Sequence, residues 1–169
     1  MKTDTIFYSL FQLFPELLFD LLGEDTAQAA NYEFSSREVK EVARRLDGLF
    51  IPNSDRFTDL LYFVEVQFQF NPDFYWRLFI EICAYLGQYK PPNNWQAVAI
   101  FASRNLDPDL PPHYRGLRSQ VQMVYLDEII NKEDLPISLG IVKLVLTPQE
   151  QVKDEFPKLL EQAGQIQEL

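Results

Sequence analysis

LLYFVEVQFQF, Leu60 to Phe70, reads as a buried β-strand into which one carboxylate and two amides have been set. Side chains alternate across a strand, so Leu61, Phe63, Glu65, Gln67 and Gln69 share one face, and Tyr62, Val64, Val66, Phe68 and Phe70 take the other. The second face is wholly apolar. The first is apolar for half its length and then polar, the pattern of a strand whose end leaves a core and enters a cleft.

A related pattern stands eighteen residues before Glu65, in RRLDGLFIP, where Arg45, Asp47, Leu49 and Ile51 share a face and the acid lies among apolar neighbours. A carboxylate in such surroundings is costly unless it is paired, hydrogen-bonded or bound to a metal. Two of them on adjoining strands make a seat for a divalent cation, since magnesium takes one or two carboxylates and completes its shell with water. The plainer alternative pairs Glu65 with Arg44 or Arg45 and lets Asp47 end its strand.

Outward from these strands, the chain alternates elements in the manner of a mixed α/β sheet with helices on its faces. Apolar residues at Phe7, Leu10, Phe11, Phe14, Leu17, Leu18 and Leu21 have helical spacing, with Pro15 dividing the helix and Gly23 stopping it. NYEFSSREVKEV is a first strand. NPDFYWRLFIEICAYLGQY is a helix with core positions Phe74, Leu78, Phe79, Ile82 and Tyr85 and a polar stripe of Arg77, Glu81 and Gln88. WQAVAIFAS and VQMVYLDEI are further strands, SLGIVKLVL fits strand or helix, and a polar helix runs from Pro148. A chain of 169 residues of this kind is one domain with four to five strands.

Charge and composition narrow the chemistry. The net charge of −10 argues against a strong non-specific grip on nucleic acid, although Arg37, Lys40, Arg44 and Arg45, with Arg104, Arg115 and Arg118, give two local basic groups. The one cysteine, Cys83, excludes an intrachain disulfide and reads as a small core residue, and the one histidine, His113, excludes a His-centred metal cluster. The apolar N-terminus is broken by Asp4, Gln12, Pro15, Glu16 and Asp20, unlike a secretory signal or a span of about 20 apolar residues. A soluble cytoplasmic protein that does not enter the membrane is expected.

An aspartate followed, on the next strand, by Glu-x-Lys resembles the PD-(D/E)XK nuclease superfamily. The run LDGLF, FVEVQFQ and FYWRLFIEICAYL is similar to a branch abundant in cyanobacteria and related to the recombination-promoting nuclease, or transposase, group. The resemblance spans about Thr3 to Leu144. It implies a restriction-endonuclease-like αβββαβ core and a Mg²⁺- or Mn²⁺-dependent hydrolase of DNA phosphodiesters. Asp47, Glu65 and the Val66 carbonyl would be the metal ligands, and Gln67 would stand where the lysine usually does. Gln can orient water but brings no positive charge. Lys40 is a candidate to reach in from another strand. Arg77 is a second cation that, facing the cleft, would touch a scissile phosphate. A further acid is sought at Asp4, Glu16, Glu38 or Glu41. DNA binding is expected to be weak, and a homodimer is compatible with the aromatic surplus. The competing reading keeps the fold as an assembly or binding module with an attenuated site.

Overall fold

The computed structural model describes residues 3–35, 38–39, 44–45, 47–132 and 135–167. Helix α1 (Thr3–Leu13) and helix α2 (Glu16–Leu22) are separated at Pro15, and Gly23 closes α2 in the left-handed conformation, with φ 69°. Strand β1 (Tyr32–Ser35) follows, then a two-stranded antiparallel ribbon of β2 (Glu38–Val39) and β3 (Arg44–Arg45). Next come β4 (Gly48–Pro52), β5 (Leu61–Gln67), helix α3 (Phe74–Tyr89), β6 (Trp95–Phe101) and β7 (Val121–Tyr125). Three helices finish the chain: α4 (Leu126–Ile129), α5 (Ile137–Leu146) and α6 (Gln149–Gln167). The ambiguous SLGIVKLVL is therefore helical, and the expected strand at Val121 gives way to helix after Tyr125.

The main sheet has five strands in the order β1-β4-β5-β6-β7. β1, β4 and β5 pair antiparallel, whereas β5, β6 and β7 are parallel, so the sheet is mixed. α3 is the crossover that a parallel β5–β6 pair requires. β5 is a central strand and is covered on both faces. Phe50, Tyr62, Val64, Val66, Val98 and Ile100 pack under α1, α2 and α5. Leu49, Leu61, Phe63, Ala97, Ala99 and Phe101 pack under α3. The period-two split of LLYFVEVQFQF is thus the split between two cores. The strand ends at Gln67, sooner than its apolar residues suggest, so Phe68 reaches the first core while Phe70 is 59% exposed.

Helix α3 buries Phe74, Leu78, Phe79, Ile82 and Tyr85, as its periodicity predicts, and Tyr75 besides. Cys83 corrects the expectation of a core residue. It is exposed, one step of about 100° around the helix from Ile82, on the outer side with Trp76 and Ile80. Among the described residues no helix is long and apolar enough to cross a membrane.

Two polar devices hold the loops. Asp107, after β6, accepts from the hydroxyls of Tyr75 at 3.0 Å and Tyr125 at 2.7 Å, tying α3 to β7. Burial and the carboxylate together push the Tyr125 phenol up to about 12. The Asn93 amide, 8% exposed, donates to the carbonyls of Ser54, Arg56 and Asp59 at 2.8, 3.0 and 3.1 Å. It pins the β4–β5 connection to the strand that follows α3. Asn93→Ala is expected to cost about 2 kcal/mol in urea denaturation, since three carbonyls lose their donor. Asn93→Asp should cost more, because it turns a carboxylate toward those carbonyls. Equal midpoints for wild type and Asn93→Asp would remove this clamp from the account of stability.

A carboxylate pair at the end of the β4–β5 ladder

The antiparallel register pairs Gly48 with Val64, Leu49 with Phe63 and Phe50 with Tyr62. Continued by one residue, it sets Asp47 directly opposite Glu65. Opposed residues of an antiparallel pair project to the same face, with Cβ atoms about 5 Å apart. Both carboxylates therefore lie on the α3 face of the sheet, where the alternation of β5 turns from buried to half-buried. The main chain completes the pairing. Val66 N–H donates to Asp47 Oδ2 at 3.0 Å, and Asp47 N–H approaches Glu65 Oε2 at 3.4 Å. Each acid is held by the backbone of the strand that carries the other.

Gly48 eases this close approach from behind. A Cβ there would lie 3.3 Å from both the Phe34 ring and Val64 Cβ, on the face packed against α1. The Asp-Gly order thus places an acid on one side of the sheet and, on the other, a position where a side chain would press on Phe34 and Val64.

α3 lies over the pair and contributes Arg77 and Glu81, one turn apart. Glu81 is 4% exposed, buried despite its place in the predicted polar stripe, while Gln88 is exposed. Glu65 feels all three groups. Burial first, then the charges of Asp47 and Glu81, hold its carboxyl well above the usual carboxylate range, against the Asp47 N–H and the Arg77 charge. Arg77 Nε is buried without a hydrogen-bond partner among the described residues.

The donor chemistry suits a hard cation. A strand residue turns its N–H and C=O to the same edge, so the Val66 carbonyl faces the side on which its N–H meets Asp47. Two carboxylates and one carbonyl, with water for the rest, match the modest protein share that Mg²⁺ accepts. Among the described residues no group of three or more His, Cys, Asp or Glu is placed to hold a metal ion.

Other expected participants lie elsewhere. The Gln67 amide donates to the Gln69 carbonyl, two residues along its own chain. Lys40 falls outside the described residues, as do Arg37 and Glu41. Glu16 starts α2, on the opposite face of the sheet. β2, which carries Glu38, lies against α3. Arg104 is engaged by Glu128 at 2.8 Å and stacks 4.0 Å over the Tyr125 ring, and His113 is exposed beside Trp76. Glu81 was visible in the sequence only as a polar helix position. The signal for its burial is the helical period, since Glu81 stands three residues after Leu78 and four before Tyr85, both core positions.

The chain belongs to a family described as a protein of unknown function (DUF2887), whose model matches residues 3–168. No curated protein and no solved structure matches it.

Folded Glu65 keeps its proton to higher pH than an ordinary carboxyl does, so ionising it costs the folded state stability as pH rises through that window. Glu65→Gln is therefore expected to raise stability at neutral pH in a chelator by about 1 kcal/mol, the scale of like charges opposed across strands. The gain should disappear in acid, below the ordinary carboxylate range. A Glu65→Gln protein less stable than wild type at neutral pH would show that the carboxylate is compensated.

Proposed function

We propose that this protein is a metal-dependent, nuclease-like hydrolase of DNA phosphodiester bonds. The observation that carries the reading is the opposition of Asp47 and Glu65, each held by the other strand's backbone, at the end of a buried ladder. Like charges directly opposite are destabilising in a sheet, and a bound divalent cation turns that cost into affinity. The order of helix, three strands of the main sheet, helix and strand agrees with the αβββαβ core of the PD-(D/E)XK nucleases, and the sequence resemblance around LDGLF and FVEVQFQ supports the same reading.

In this reading Asp47, Glu65 and the Val66 carbonyl hold Mg²⁺ or Mn²⁺. The ion would supply Lewis acidity for water attack on a phosphodiester phosphorus and would offset the charge that develops there. The chain's own contribution is position. Asp47 is aimed by the Val66 N–H, Glu65 by its seat in β5, and both by Gly48, which lets the strands close. Desolvation under α3 strengthens each electrostatic contact in the site.

A second reading is favoured by one observation. The Gln67 amide gives one of its N–H groups to the Gln69 carbonyl, so part of the group that would orient water is engaged along the chain. An attenuated nuclease fold serving as a binding or assembly module would look like this.

Plasmid cleavage with Mg²⁺ or Mn²⁺ separates the two. Wild type is expected to nick or linearise DNA, and Asp47→Ala and Glu65→Ala, both still folded, to lose activity by on the order of a hundredfold or more. The same cations should raise the melting temperature of wild type and not of either variant, because a ligand that binds only the folded state stabilises it. No cleavage and no metal-dependent shift in wild type would leave the module as the function of the fold.

A further inference from the structure

Resting on the nuclease reading, the remaining question is where the site finds a positive charge to meet phosphate. Gln67 has none, and one N–H of its amide is given to the Gln69 carbonyl. Several cations on the described surface are engaged away from the site. Arg56 is bridged to Asp59, Arg104 to Glu128 and Lys143 to Glu155, while Arg118 donates to the Val121 carbonyl.

Arg77 differs from all of these. It stands in the first turn of α3, the helix packed on the sheet face that carries the carboxylate pair, and its charge is felt at Glu65. It makes no side-chain hydrogen bond or salt bridge among the described residues, and its Nε is buried there unsatisfied. A buried guanidinium N–H without an acceptor is costly, and native proteins rarely keep one without a use. Intrahelical pairing with Glu81, one turn on, is the plain account of an Arg and a Glu at this spacing. No Arg77–Glu81 bridge is formed. Among the described residues nothing accepts from this donor, and an acceptor from outside the chain would satisfy it. A planar fork of N–H groups beside a seat for a divalent cation fits a tetrahedral phosphate, which it can grip through two oxygens.

We infer that Arg77 is the phosphate-binding cation of this site, its guanidinium contacting a non-bridging oxygen of the scissile phosphodiester and supplying from the helix the charge that Gln67 does not supply from the strand. The substrate backbone would then lie between α3 and the ends of β4 and β5, with Arg77 on one side of the phosphorus and Asp47 and Glu65 on the other.

The test uses Arg77→Gln and three readouts: Mn²⁺ binding by calorimetry without DNA, affinity for a short fluorescent duplex in Ca²⁺, and Mn²⁺-dependent cleavage. Arg77→Gln is expected to bind Mn²⁺ at least as tightly as wild type, because a cation beside the metal seat has been removed. Duplex affinity should fall several-fold and cleavage by on the order of a hundredfold. Arg77→Lys should restore cleavage to within about tenfold of wild type, since it returns the charge without the fork. If Arg77→Gln does not fold, Arg77→Met takes its place, with apolar atoms where the buried Nε lay. Unchanged duplex affinity, or weaker Mn²⁺ binding in the charge-free variant, would overturn the assignment and make Arg77 a structural residue. A wild type that neither cleaves nor binds Mn²⁺, yet loses duplex affinity on Arg77→Gln, would sink the nuclease reading alone and leave Arg77 as an anion site.

Discussion

The antiparallel register of β4 on β5 is the constraint on which the rest of the molecule depends. With Gly48 opposite Val64, every odd residue of both strands faces α3 and every even residue faces α1, α2 and α5. A slip of one residue would exchange the two faces, burying Glu65 and Gln67 beneath the N-terminal helices and driving Tyr62 and Val64 toward α3. Both faces are almost fully apolar up to Val64, so that slip is opposed by the burial of two cores at once. The same register opposes Asp47 to Glu65. The hydrophobic effect thus enforces a juxtaposition that electrostatics resists.

The polar interior divides into groups that are satisfied and one that is not. Asp107 receives two tyrosine hydroxyls, and Asn93 donates to three carbonyls, and both tie loops to the sheet. Their purpose is complete within the chain. Under α3 the accounting stays open: Glu65 is held against its preferred ionisation by burial and by two acids, while Arg77 keeps a buried donor unmet. A structure that spends stability in one place, while the buried polar groups elsewhere among the described residues are matched, marks that place as one suited to receive something from outside. The chemistry of the two halves, hard oxygen donors and a planar cation, is the chemistry of a metal and a phosphate.

α3 makes that arrangement durable. It is the obligatory crossover between the parallel strands β5 and β6, so its six buried apolar residues hold it on the sheet regardless of what Arg77 and Glu81 do. The site borrows a rigid element whose position is set by the core. Trp76, Ile80 and Cys83 lie on the outer side of the same helix, which leaves its inner polar positions to the cleft.

Much of this was legible in the residues alone. The period-two alternation of LLYFVEVQFQF marked a central strand and placed Glu65 at the edge of its buried half, and the helical period of NPDFYWRLFIEICAYL marked the crossover. Local periodicity reports which face is apolar, and a sheet with two cores leaves few ways to satisfy it. Asp47 and Glu65 were singled out for the same reason, since acids among apolar residues stand out in one dimension. Periodicity could not say that Cys83 turns outward or that β5 stops before Phe70, because both depend on where neighbouring elements end. Nor could it show that Arg77 Nε lies buried with no hydrogen-bond partner among the described residues, or that its charge reaches Glu65 on β5. Those are facts of distance between side chains on different elements, and only the packed tertiary structure, with α3 laid across the end of the ladder, decides them.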